Sequence, residues 1–318
     1  MRILAALLLA LSAQGAWAES DALAWLQRIH AATQKLSYTG TFVYRSGDQA
    51  ETLRIVHVAG RNGAHERLET LEGQAREIVR SGDEVKCYLP GSMTVKVDRQ
   101  TDRMVFPALL PANLQDISEH YEVSKGAIER IAGYDCQAIV LQPKDKMRYG
   151  HKLWADANTG MLLKSQTLDE RNEVVEQFAF TQISIGGRID LGQLKSKFLA
   201  KSRAWRVENS GAVATSLAAS GWSISLELPG FKKVTEMKRT QGGSSEVGHV
   251  VYSDGLAAVS VFIEPIASKT SLPQLGLSRQ GAINIYSRQI AEHLVTVVGE
   301  APAESVKKIS DSVEYRKP

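Results

Sequence analysis

Apolar residues recur at helical spacing near the two ends of the chain and alternate with polar ones between them. Leu23, Leu26, Ile29, Thr33 and Leu36 form one helical stripe, with Trp25 beside it and Ser20 placed to cap the start. After Ser37 the period changes to two. TFVYR (41–45), TLRIVHV (52–58), AREIVR (75–80), EVKCYL (84–89) and MTVKV (93–97) are short β-branched and aromatic runs. Gly-, Asn- and Asp-rich turns separate most of them, which predicts an antiparallel meander. Pro107 and Pro111 interrupt this pattern around PALLPANL, and Leu114, Ile117 and Tyr121 suggest a short helix.

Strands resume with AIERI, CQAIVLQP, YGHKLWAD, GMLLKSQTLD and VVEQFAFTQIS. Roughly ten strands over residues 19–187 are many for one flat sheet, so the sheet is expected to curl. Gly186-Gly187 ends the pattern, and the mixed, basic segment 188–212 reads as a linker, partly helical. A second unit, 213–318, contains WSISLELP, FKKVTEMKR, GHVVYSDG, AAVSVFIEPI, INIYSRQI and HLVTVVGE. A last helix is expected to carry Glu304, Val306, Ile309 and Val313. The fold class is therefore mixed and mainly antiparallel β: a large curled sheet with covering helices, then a small α+β domain.

The extreme N-terminus changes the compartment. Arg2, the apolar run Ile3–Leu11 and Ala16-Trp17-Ala18 have the form of a secretory signal peptide over residues 1–18, cleaved after Ala18. No later stretch approaches the roughly 20 apolar residues of a membrane helix. The expected protein is exported and soluble in a bacterial periplasm. The formal charge of +3 is too near neutral to favour nucleic acid, and 43% hydrophobic content fits a globular chain. In an oxidising compartment Cys87 and Cys136 could form a disulfide closing a long loop, or remain two separate buried thiols.

Catalytic signatures are missing from the sequence. The seven histidines form no HxxxH or HExxH pattern, and there is no CxxC, GxSxG, P-loop or GxGxxG. No catalytic residue, metal ligand or cofactor site is assigned, and the prior moves toward binding. Acids such as Glu69 and Glu72 would serve a hydrolase, but neighbouring acids on hairpins are usually solvated. Phe42 and Tyr44 share one strand face, as do Phe178 and Phe180; with Trp154 and Trp25 they would line a lipid-sized hollow or simply fill a core. Lys232, Lys233, Lys238 and Arg239 form a basic patch that suits an acidic peptide, a lipid phosphate or plain solvent.

Several segments resemble the RseB/MucB family of periplasmic regulators: RYGHKLWADANTGMLLKSQTLDERNEVVEQFAFTQI (148–183), TGTFVY (39–44), QAREIVR (74–80) and IAGYDCQAIVLQPKD (131–145). LPGFKKV (228–234), YSDGLAAVSVFIEP (252–265) and VTVVGEAP (295–302) follow in the same order, so the resemblance spans nearly the whole mature chain. It implies a lipoprotein-carrier-like half-barrel followed by the small domain. It also implies a role as a negative regulator in the sigma-E (AlgU) envelope stress response. Such a protein binds the periplasmic part of a membrane-spanning anti-sigma factor of the RseA/MucA type and shields it from regulated proteolysis. Lipopolysaccharide or lipoprotein acyl chains would relieve the shielding. On this resemblance Lys232, Lys233, Tyr252, Asp254, Gly255 and Leu256 are expected at the partner surface, and Phe42, Tyr44, Trp154, Phe178 and Phe180 in the lipid hollow. A periplasmic lipid or lipoprotein carrier is the alternative, although it leaves the second domain unexplained.

Overall fold

The computed structural model describes residues 21–60, 63–98, 110, 114–209, 212–226, 228–241, 245–266 and 275–317. The signal-peptide reading, the Ser20 cap and most of the proline-flanked segment lie outside the described residues. Helix α1 occupies residues 21–35. Eleven strands follow: β1 (Tyr38–Ser46), β2 (Gln49–Val58), β3 (His65–Thr70), β4 (Glu77–Ser81), β5 (Glu84–Leu89), β6 (Thr94–Asp98), then, after helix α2 (Gln115–His120), β7 (Tyr121–Ile131), β8 (Tyr134–Pro143), β9 (Gly150–Asp156), β10 (Leu162–Leu168) and β11 (Val174–Ile185). With β12 (Arg206–Asn209) they make a 12-stranded sheet in the order β12-β6-β5-β4-β3-β2-β1-β11-β10-β9-β8-β7. The sheet is open, because β12 and β7 end it on opposite sides. All its described pairings are antiparallel except β12 on β6.

The core of this sheet is the apolar stripe of α1 laid against strand residues. Ala22, Leu26 and Ile29 are buried with Tyr38, Phe42, Ile55, Ile139, Leu141, Leu153 and Leu162. The DANTG turn between β9 and β10 seats the helix. Asp156 Oδ2 accepts from the Thr159 amide (2.8 Å) and hydroxyl (2.6 Å), and Gly160 takes φ +77°. Arg28 of α1 donates to the carbonyls of Ala157 and Asn158. A Cβ at Gly160 would come within 3.1 Å of the Arg28 carbonyl oxygen, so the helix needs a glycine there.

The second sheet has seven strands, in the order β13-β15-β16-β17-β20-β19-β18. They are β13 (Ala212–Ala214), β15 (Lys232–Gln241), β16 (Ser245–Ser253), β17 (Ala258–Pro265), β18 (Gly276–Gln280), β19 (Ile283–Ile290) and β20 (His293–Gly299). Strand β14 (Trp222–Ile224) pairs with β21 (Val313–Tyr315) as a separate ribbon. Helix α3 (Ala303–Asp311) buries Val306 and Ile309 against Val259, Val261, Val295 and Val297.

Four elements differ from the sequence reading. Tyr121, read as part of the short helix, is the first residue of β7, because α2 stops at His120. Segment 188–212 also supplies a strand: two short 3-10 turns lead into β12, and Phe198 and Trp205 pack against Tyr88, Val95 and Val97. The last helix stops at Asp311, and Val313 begins β21 instead. Strand β3, HERLET, has no apolar alternation. Its polarity is internal: Glu66 lies between His57 of β2 (Nδ1 to Oε1, 2.8 Å) and Arg80 of β4 (3.4 Å), its register partners on either side.

Candidate functional site

The YSDGL motif forms the connection from β16 to β17. Gly255 takes φ +98°, and Asp254 Oδ1 accepts from the amides of Leu256 (3.0 Å) and Ala257 (2.8 Å). This Asx turn fixes the carboxylate. Oδ2 then faces the large sheet, where Arg148 Nη1 donates to it at 2.8 Å and the Tyr121 hydroxyl at 3.3 Å. Both charged side chains are 0% exposed. A second local turn aims the arginine: Asp145 Oδ1 accepts from the Met147 amide (2.8 Å) and from Arg148 Nε (3.1 Å). Arg148 Nη2 donates to the Pro229 carbonyl at 2.5 Å, and its guanidinium lies over the rings of Tyr121 and Phe231.

This constellation joins the two cores. Leu256 packs into the core of the large sheet, while Tyr252, four residues earlier, packs into that of the small one. Gly230 (φ +80°) approaches His120 so closely that a Cβ there would lie 2.4 Å from Nε2. His151 lies beside Tyr121, their ring centroids 6.1 Å apart. Burial holds His151 neutral down to about 4, against the opposing pull of the Asp254 charge. Every oxygen of Asp254 is engaged and no nucleophile adjoins it, so the chemistry on offer is clamping, not acid–base transfer.

The expected partner surface therefore divides. Lys232 and Lys233 are exposed on β15, opposite Ser253 and Tyr252, and Lys233 pairs with Glu236 at 2.6 Å. Tyr252, Asp254 and Leu256 are buried, at 6%, 5% and 5% exposure. In the closed contact Leu256 is covered by the large sheet, Asp254 by Arg148 and Tyr121, and Tyr252 by the small domain's own core. Gly255 is half-buried at the tip of the same turn.

The lipid-hollow set also divides. Phe42, Phe178 and Phe180 come together, with Phe42 to Phe180 at 5.5 Å and Phe42 to Phe178 at 6.3 Å between centroids, edge to face. Tyr44 packs half-buried against this cluster. The rings fill a core instead of lining an open space, since each Phe is at most 5% exposed. Trp154 is on the other face. Cross-strand register aligns Leu153, Ser165, Phe178 and Tyr44, while Trp154 aligns with Lys164, Ala179 and Val43. There its ring lies under the ammonium groups of Lys152 and Lys164, at 4.5 and 4.2 Å.

Cys87 and Cys136 are both free thiols. They sit on β5 and β8, near opposite ends of the large sheet, so neither can reach the other. Burial pushes the Cys136 thiol up to about 12, which keeps it unreactive. Glu69 and Glu72 are not a working acid pair: Glu69 binds Arg67 and Lys197, and Glu72 accepts from Thr52. Among the described residues no group of three or more His, Cys, Asp or Glu could hold a metal ion, and no helix is long and apolar enough to cross a membrane. The sequence reading missed Arg148. Its position, inside a polar stretch between two strands, gives no periodicity signal; only the turn-forming Asp145 three residues earlier hints at it.

Two family profiles match the chain. The one described as the MucB/RseB N-terminal domain covers residues 21–198, and the one described as the MucB/RseB C-terminal domain covers 216–314. The sigma factor AlgU regulatory protein MucB of Pseudomonas aeruginosa is 30% identical over 300 residues, 92% of this chain and 91% of that protein. The sigma-E factor regulatory protein RseB of Escherichia coli K12 is 25% identical over 296 residues, 92% of this chain and 90% of that protein. A crystal structure of MucB in complex with MucA(peri) superposes with a TM-score of 0.72 at 27% identity, covering 94% of this chain and all (100%) of that one. A structure of MucB alone gives 0.69, at 27% identity and 93% and 98% coverage.

Proposed function

The chain belongs to the MucB/RseB family, and on that premise we propose that it is an exported regulator that binds the periplasmic segment of a membrane anti-sigma factor and shields it from proteolysis. The observation that carries this reading is the match of both halves of the chain to a relative solved with MucA(peri). The domains would be residues 19–187 and 213–318, joined through 188–212, with residues 1–18 removed on export to the periplasm.

Binding protects by occupancy: the cleavable segment is shielded in proportion to its bound fraction, and a ligand preferring a different conformation lowers that fraction. Lys232 and Lys233, exposed on β15, are the partner-facing residues of the set. An acyl chain of lipopolysaccharide or lipoprotein would have to displace the Phe42–Phe178–Phe180 packing, so lipid entry and a conformational change are one event. The filled core argues against a standing lipid carrier.

The test is a protection assay with the cognate anti-sigma periplasmic segment and its site-one protease. Cleavage should slow in the presence of this protein and recover when lipid is added. Lys232→Glu with Lys233→Glu should weaken partner binding about tenfold, equivalent to about 1.4 kcal/mol; unchanged affinity removes these lysines from the interface. Failure to bind or protect the segment would overturn the regulator reading, and co-purified lipid would then favour the carrier.

A further inference from the structure

The contact between the two domains extends beyond Arg148 and Asp254. The β1–β2 turn at Ser46-Gly47 abuts the β18–β19 turn, where a Cβ at Gly281 would lie 1.9 Å from Ser46 Oγ. Asn284 Nδ2 donates to the Tyr149 hydroxyl at 2.8 Å, and Tyr149, Val175 and Ala282 form a small buried cluster. One residue beyond Val175 is Glu176, opposite Ser46 in the β1–β11 register. One residue beyond Gly299, the register partner of Asn284, is Glu300. The charge of Glu300 reaches Glu176, and the Tyr44 hydroxyl senses both, so the fold brings one carboxyl from each domain close together beside this cluster.

The surroundings offer these acids little help. The Tyr44 hydroxyl hydrogen-bonds Glu176 and senses both carboxylates. Glu176 Oε2 is buried without a partner. Arg279 of β18 is committed elsewhere, donating to the Gly281 carbonyl at 2.8 Å and lying near Tyr149. Among the described residues no cation lowers either acid. Burial, then the facing charge of Glu300, pushes Glu176 up to about 7, and burial raises Glu300 as well. Two like charges in this half-buried contact repel each other, and the pair titrates as a unit.

We propose that Glu176 and Glu300 form a proton lock between the domains: the contact is closed while the pair holds one proton and opens when both carboxyls ionise. Only a proton is exchanged with solvent. The sign follows from linkage. An acid whose pKa is raised in the closed state leaves closure fully stable below the ordinary carboxylate pKa. That stability is lost as pH rises through neutral, by up to tenfold in the closing equilibrium per pH unit. The lock concerns the chain's own domains and stands whether or not the anti-sigma reading holds.

Carboxyl carbon-13 NMR of the glutamate-labelled two-domain protein, with small-angle scattering from pH 5.5 to 8.5, tests it. One of the two carboxyls should titrate near neutral, and the radius of gyration should rise over the same interval. In Glu176→Gln and in Glu300→Gln, each a single acid with no like charge opposite, the radius should stay at its closed value. The proposal is overturned if both carboxyls titrate in the ordinary range, if the wild-type radius stays constant while one titrates near neutral, or if the variants expand as the wild type does.

Discussion

Replacing Asp254 by Asn keeps the Asx-turn acceptor but removes the charge that Arg148 faces. Arg148 is 0% exposed, so its guanidinium cannot recover hydration while the domains stay in contact. Removing one member of a buried pair typically costs about 3–5 kcal/mol. The bonds from Arg148 Nε to Asp145 and from Nη2 to Pro229 survive, which places D254N near the lower end, about 3 kcal/mol. R148M should cost a similar amount, about 3 kcal/mol, because Asp254 retains Tyr121 and two turn amides while the stacking on Tyr121 and Phe231 is lost. The double variant R148M/D254N leaves no fully buried charge, the remaining Asp145 carboxylate being partly exposed, and should cost about 4 kcal/mol, giving a coupling of about 2 kcal/mol. The assay is urea unfolding followed by tryptophan fluorescence and by far-UV circular dichroism. The two probes should coincide for the wild type and separate in the single variants, as the domains lose their contact. Costs below about 1 kcal/mol, or additivity within about 0.5 kcal/mol, would refute the argument that this pair clamps the domains.

Two further outcomes are expected. Phe42→Ala should lower stability by about 3–5 kcal/mol in urea unfolding and open a cavity into which a small apolar probe binds, raising the melting temperature; a cost below about 1 kcal/mol would mean the ring is not core. His151 stays neutral to about 4, whereas in the unfolded chain it protonates near 6.5; stability should therefore fall from about pH 6.5 to 4 and level off below, by up to about 3 kcal/mol. His151→Gln should remove that part of the acid slope, and an unchanged slope in the variant would exclude this histidine as its source.

Much of this architecture is local and was legible along the chain. The stripe Leu23–Leu36 made α1 because a 3.6-residue period buries one face whatever it meets. The DANTG turn announced the β9–β10 hairpin through residues whose side chains bond their own backbone. Strand β3 was hidden for the opposite reason. Its Glu66 and Arg67 are buried by partners on neighbouring strands and elsewhere in the fold, and no one-dimensional period records a cross-strand ion pair.

The sequence by itself determined the two-unit layout, the mainly antiparallel strands and the family, because hydrophobic period and turn chemistry are properties of short segments. Tertiary structure alone decided which side chains meet. Alternation placed Phe178 and Phe180 on one face, but only the register across β9, β10 and β11 sent Trp154 to the other. YSDGL was recognisable as a motif, yet its role turned on Arg148, 106 positions away, whose buried guanidinium converts an apparent docking loop into the clamp between the domains. Pairing energy depends on distance and burial, and neither is fixed until the whole chain has folded.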